Sequence, residues 1–498
     1  MTLWVLGDQL NHAAVRRLAA KRVLLVEAYE LGRTPPMHPQ KLVLFFSAMR
    51  HFAQELREGG LEVTYLQAET LAEALAAFFR AHPGETLAQM QPADHGFAER
   101  AQALVEGLGG VYRLVPNPLW LLQPEEFDRW AGSRKTYRLE YFYRFMRQRS
   151  GYLMQGGQPL GGAWNYDAEN RKTPPPDYRP PPPLRFSPDA LTRQAIQTVQ
   201  EKFTRHFGAL EGFDWPVTRQ EALQALEDFV QHRLAQFGPY QDALLEQSWS
   251  LHHSLLSPVI NLGLLHPQEV VERALLEYEK GGIPLASIEG FVRQIIGWRE
   301  YIYHVYRREM PGLGQANQLD AHRPLPPLFW GAPTRMRCLS TVIERVRQRG
   351  YAHHIERLMV LANFALLYGV NPQALNAWFI AAFVDSADWV MAPNVLGMGV
   401  FATPVLSSKP YAASGKYIAR MGNHCQRCSF RVEETLGQRA CPFNSLYWDF
   451  MAQHRPLLEA NPRLGVLYKS WDKRTPKEQA AIRQRAEVLR RSMARGEL

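Results

Sequence analysis

The sequence predicts an α/β amino-terminal domain with a doubly wound parallel sheet, then a long linker, then a larger all-α domain. Three observations carry this expectation. Short apolar runs alternate with helical patterns up to about residue 130. A proline-dense stretch follows. Beyond about residue 190 apolar residues recur only at helical spacing. The boundaries are 1–130, 131–190 and 191–498.

Leu3-Trp4-Val5-Leu6 reads as a buried strand ending at Gly7-Asp8. Asn11 to Leu18 is helical, Val23 to Glu27 is a second strand, Ser47 to Arg57 continues a helix, and Leu61 to Leu66 is a third strand. Strands alternating with helices argue for a parallel sheet. Ligands of such sheets bind beyond the carboxyl ends of the strands, which points to the loop Gly7-Asp8-Gln9-Leu10 and the loop after Glu27. The run from Thr173 to Pro183 holds extended polyproline geometry and serves as a spacer or wrapped linker. In the third region Leu223, Leu226, Val230 and Leu234 recur at steps of three and four. Ile288 to Tyr306 and His354 to Leu367 are further helical stretches, the first amphipathic and the second strongly apolar. Thr475-Pro476 opens a last helix, with threonine as N-cap and proline at the first position. The charges from Arg483 to Arg495 read as a solvated helix face.

A hydrophobic content of 46% with 21% charged residues is ordinary globular composition. No apolar run is long enough to span a bilayer. The start lacks a basic leader, so the expected location is the cytoplasm, with no membrane contact and a monomeric state. The net charge of +9 favours a polyanionic partner.

Only four cysteines are present, and three of them cluster as Cys425-Gln426-Arg427-Cys428 and Cys441, with Cys338 far upstream. Four thiols around a C-x2-C pair suit a tetrahedral metal centre, either zinc or an iron–sulfur cluster. The long gap after Cys338 and the proline after Cys441 tilt the reading toward the cluster. Disulfides fit poorly with a chain that shows no sign of secretion.

Several segments resemble the iron–sulfur bacterial cryptochromes and (6-4) photolyases. Tyr240 with Trp249-Ser250-Leu251-His252-His253-Ser254-Leu255-Leu256-Ser257-Pro258 resembles their flavin-phosphate segment. Gln294 lies in Phe291 to Tyr301, which resembles their Trp-Arg-Glu helix, and His353-His354-Ile355-Glu356-Arg357 resembles the His-His-x-x-Arg segment. With the cysteines and Gly7-Asp8-Gln9-Leu10, the resemblance covers nearly the whole chain.

The resemblance implies FAD in the helical domain, a [4Fe-4S] cluster on Cys338, Cys425, Cys428 and Cys441, and a lumazine antenna in the α/β domain at Gln9, Leu10 and Glu30. The implied flavin contacts are Tyr240, His253, Ser254, Leu255, Leu256, Ser257, Gln294, Arg357, Asp385 and Met391. The implied activity is light-dependent repair of (6-4) photoproducts in UV-damaged DNA, with Arg171-Lys172 as candidate phosphate contacts. A photoreceptor of the same fold is the alternative. An iron–sulfur nucleic-acid binder without flavin would leave the Trp-Arg-Glu helix unexplained.

His354 is the expected repair acid, because moving a hydroxyl group between bases requires proton transfer, with His353 orienting it or sharing the work. Arg357 and Asp385, 28 residues apart, match the pair that flanks the flavin ring. Trp378, Trp330 and Tyr417 are the candidate electron relays. Three departures stand out. Leu358 takes the place of a second active-site histidine, Met391 that of a hydrogen-bonding residue, and Pro36-Met37-His38-Pro39-Gln40-Lys41 that of a His-His-Lys antenna segment.

Overall fold

The computed structural model describes residues 1–498 except Lys135 and Pro176, the latter inside the expected proline spacer. Its sheet has five parallel strands, β1 (Thr2–Val5), β2 (Arg22–Ala28), β3 (Glu62–Ala68), β4 (Thr86–Met90) and β5 (Val111–Val115), in the order β3-β2-β1-β4-β5. Central β1 pairs with β2 and β4 and is buried along its whole length, which is why it reads as an unbroken apolar run. The outer strands β4 and β5 are harder to see in the sequence. Gln89 interrupts β4, and edge strand β5 turns Val111, Arg113 and Leu114 to solvent.

Around the sheet run α1 (His12–Arg17), α2 (Pro39–Glu58), α3 (Leu71–Ala81) and α4 (Phe97–Gly107). Asn11 caps α1 by accepting from the Ala14 amide, and Thr70 and Glu73 close a capping box on α3.

The linker is wrapped rather than free. It contains the helix Leu139–Ser150, whose Arg147 is fully buried and donates to the Trp164 and Leu153 carbonyls. Its far end is pinned by Asn170 Nδ2 to the Ala286 carbonyl at 2.9 Å and by Thr173 Oγ1 to the Arg420 carbonyl at 2.7 Å.

The remainder is helical. Three stretches wind as π-helix: Arg293–Arg299, Glu356–Ala362 and Pro393–Gly399. The expected amphipathic stretch from Ile288 to Tyr306 is instead buried almost throughout, because it runs through the centre of the helical region. Leu223 is exposed although it falls on the expected apolar stripe, since Leu226 and Val230 already fill the buried face. The last helix, Pro476–Ala494, is capped by Thr475 as expected. It is not simply a solvated face: Arg490 is buried and pairs with Asp449 at 2.6 Å. Among the described residues no helix is long and apolar enough to cross a membrane.

The sheet region is clasped to the helices by the start of α2. The His38 amide donates to the Ala381 carbonyl, Gln40 Nε2 to the Gln348 carbonyl at 2.7 Å, and Lys41 Nζ to Ser386 Oγ at 2.8 Å. Pro36 to Lys41, which departs from the expected antenna pattern, thus forms a domain clasp.

Candidate functional site

All three π-helical stretches face one cavity of about 430 Å³. Closing a turn from i to i+5 widens the helix and re-aims side chains, which is why such turns gather at functional sites. Among the expected flavin contacts, His253, Ser254, Leu255, Ser257, Gln294, Arg357, Asp385 and Met391 line this cavity. Two do not. Leu256 turns into the core at the start of a short helix, and Tyr240 packs on His252 and Tyr178 behind the wall. Asn394 is a wall residue that the sequence reading missed; its Oδ1 accepts from Trp298 Nε1 at 3.1 Å.

Arg357 and Asp385 form a two-pronged ion pair, with N–O distances of 2.9 and 3.0 Å. Ser257 Oγ donates to the same carboxylate at 2.6 Å, and Arg357 lies over the Phe383 ring at 4.1 Å. Every polar atom here is held before any ligand arrives. Breaking such a mostly buried pair from one side costs about 3–5 kcal/mol, because the other charge is left uncompensated.

Three histidines sit at one end of the cavity. His353 is fully buried, and its ring stacks on His253 at 4.7 Å with an interplanar angle of 11°. Burial first, and then the neighbouring histidines, hold both rings far below the usual imidazole range, so the pair is neutral at physiological pH. His354 is different. Its side chain is 52% exposed, and Nε2 lies 3.2 Å from Asp242 Oδ1. The three ligand nitrogens lie within 4.8 Å of one another, yet an imidazole lone pair lies in its ring plane. With two rings nearly parallel, no ion can lie in the plane of both, so the trio is poorly arranged for a metal.

Of the relay candidates, Trp378 and Trp330 are brought together and Tyr417 is not. Trp378 is buried, meets Phe379 of the cavity wall at 5.2 Å, and reaches half-exposed Trp330 through Phe207 at 6.2 and 5.9 Å. Tyr417 makes no ring contact with either tryptophan. It packs under Arg420, and burial together with nearby Asp242 pushes its phenol up to about 12.

The four cysteines are free and line one pocket, with Cys338 buried and the other three partly exposed. Cys338 lies in the first turn of the helix Arg337–Arg349, Cys425 in the turn His424–Arg427, and Cys441 caps the helix Pro442–Gln453. Burial first, then the other three thiols, push Cys338 up. Gly415 leaves room for this group, since a Cβ there would stand 2.7 Å from Cys441 Sγ. The cysteine loop is stitched to the strip that carries Asp242. The Leu244 amide donates to the Met421 carbonyl at 2.8 Å, and the Asn423 amide to the Leu244 carbonyl at 3.2 Å. A Cβ on Gly422 would fall 1.7 Å from the Leu244 oxygen, so only glycine permits this approach.

The antenna candidates do not converge. Gln9 is fully buried and donates to the Met90 carbonyl, Leu10 is core, and Glu30 accepts from the Leu71 amide at 2.7 Å. The strand order instead reverses between β1 and β4, and the loops after these two strands carry Asp8 and Asp94. Burial and then Asp94 push the Asp8 carboxyl up to about 7, and desolvation and then Asp388 raise Asp94 to about 6. Desolvation lowers neighbouring Lys41 to about 8. Asp94 carried no signal in the sequence, because only the strand order reveals its place.

The chain is 40% identical, over 98% of its own length and 99% of the relative's, to the (6-4) photolyase of Agrobacterium fabrum. The chain belongs to the (6-4) photolyase family. A family model described as deoxyribodipyrimidine photo-lyase-related protein matches residues 3–215. The photolyase fold extends over the whole chain. The crystal structure of a class III photolyase from Agrobacterium tumefaciens superposes with a TM-score of 0.57 at 18% identity, covering 99% of this chain and 97% of that one. A cryptochrome from Synechocystis sp. PCC6803 superposes equally well, with a TM-score of 0.57 at 12% identity, covering 99% and 98%. These two likenesses speak for the photolyase fold alone.

Proposed function

We propose that this protein is a light-driven DNA repair lyase for (6-4) pyrimidine–pyrimidone photoproducts, with FAD in the 430 Å³ cavity and a [4Fe-4S] cluster on the four cysteines. The observation that carries the reading is the placement of His354: half-exposed, at the same cavity as the Arg357–Asp385 pair, and paired to Asp242. The residues fit a flavin. The cavity is largely apolar, its charged pair is satisfied in advance, and His253 Nε2 is buried on its wall without a protein partner. They also fit a cluster, since four free thiols converge on one pocket.

When bound, reduced flavin excited by blue light supplies the electron that splits the lesion. The chain's own residues do the rest. Arg357 places a positive charge on the cavity wall, where it favours an anionic ring. When doubly protonated, His354 donates Nε2–H to Asp242 and still carries a proton on Nδ1, which it delivers to the hydroxyl group that must return to its original base. The neutral His253–His353 pair backs the ring without adding a competing charge. Trp378 and Trp330 form the route by which electrons reach the cavity from the surface. Exposed Arg171 and Lys172 are phosphate contacts. A lumazine antenna belongs at the strand-order reversal beside Asp8 and Asp94, with Glu30 as an outlying contact. Chromophore released from purified protein by denaturation tests that placement.

The deciding experiment is repair of an oligonucleotide carrying one (6-4) photoproduct by reduced protein, in blue light and in the dark. Restored thymines only in the light are expected. Bound, photoreducible flavin without repair would move the assignment to a photoreceptor, a reading favoured by one feature: Met391, buried on the wall, offers no strong hydrogen bond to the ring.

A further inference from the structure

We propose that His424 donates a hydrogen bond to the iron–sulfur centre and raises its reduction potential, an inference that rests on the cysteines being cluster ligands. His424 immediately precedes Cys425 and is completely buried. Neither of its ring nitrogens has a partner within the protein. Buried polar groups are almost always paired, because leaving one unpaired forfeits the hydration it had in the unfolded chain. The nearby polar groups are already committed. Glu246 is bound by Arg337, and Arg345 is divided between Glu356 and the carbonyls of Leu245 and Glu246.

What His424 does face is the pocket lined by all four cysteines. An occupant able to accept from a neutral imidazole N–H there is a cluster sulfide or a ligating thiolate. Such a bond stabilises the extra electron of the reduced centre, so it moves the potential upward. A histidine buried only for packing gains nothing from its two nitrogens, and an apolar ring of similar size would serve the packing better.

The test compares His424→Leu and His424→Gln with the parent, as full-length proteins purified anaerobically. Iron and sulfide content are measured first, then the midpoint potential by titration followed with absorption and EPR. The parent is expected to carry about four irons per chain. The leucine variant should keep them but titrate at a lower potential, and the glutamine variant, which retains an N–H donor, should return toward the parent. Iron retained in both variants with unchanged potential overturns the proposal, and so does equal loss of iron from both. Zinc in the parent overturns the cluster reading itself, a failure seen before any variant is made.

Discussion

His354 Nε2 stands 3.2 Å from Asp242 Oδ1 at the open end of a cavity that also carries the Arg357–Asp385 pair. The carboxylate fixes the ring and selects which nitrogen faces outward. Replacing His354 with alanine is expected to lower (6-4) repair by about 10²–10⁴-fold while flavin stays bound. Asp242→Asn should cost less, about tenfold, because the ring loses its orienting partner but not its proton. Single-turnover repair with a flavin absorption control reads both, and full activity in the alanine variant sinks the assignment.

Trp378 connects the cavity wall to Trp330 at the surface. Trp378→Phe should slow photoreduction of the oxidised flavin at least tenfold, since phenylalanine is much harder to oxidise. Repair by chemically reduced protein should be unaffected. Unchanged photoreduction under steady blue light would place the electron route elsewhere.

Gly422 lets the cysteine loop touch the Leu244 carbonyl, and residues 244–246 continue the strip that holds Asp242. Gly422→Ala should therefore reduce metal content and weaken repair together, with a fall in the unfolding midpoint of several degrees, as expected for a forced backbone shift. Normal metal content with repair alone impaired would argue against this mechanical link.

Asp8 titrates near 7 in the folded protein, against an ordinary value near 3.8. Between about pH 4 and 7 the unfolded chain has released this proton and the folded chain has not, so the contribution of Asp8 to stability is lost as pH rises through that window. Asp8→Asn removes the penalty. The variant should melt on the order of 1–2 °C above the parent at pH 8 and no higher than it at pH 4, with the partial exposure of Asp8 screening part of the effect. An equal difference at both pH values would show that the carboxyl is ordinary.

The fold class was legible because β1 is a pure apolar run and the later helices repeat at three and four. The cysteine centre was legible because thiols are rare in this chain and three of them lie close together. What stayed hidden depends on three-dimensional order. Asp94 joins Asp8 only because β4 lies beside β1, and His424 stands out only when its burial and missing partners are known. Leu256 and Tyr240 fall within a matching segment, but Leu256 turns into the core at the head of a short helix, and Tyr240, at the end of another, packs on His252 and Tyr178. Tyr417 lies near the cysteine loop in sequence, yet its ring packs under Arg420 and touches neither tryptophan.

The three π-helical stretches also bear on how this protein can change over time. Each wide turn accommodates one residue more than an α-turn would, so it works as a phase shifter. Deleting a single residue from Glu356–Ala362 would let that stretch relax to ordinary pitch. Side chains beyond the deletion would nearly keep their directions, because the wide stretch and an α-helix one residue shorter rotate the chain by about the same angle. Point substitutions around the cavity can alter its chemistry one group at a time, whereas loss of the extra residue would re-aim only the side chains of the wide turn itself. Gain or loss of that one residue is therefore a route by which descendants of this chain could reshape the wall without disturbing the helices on either side.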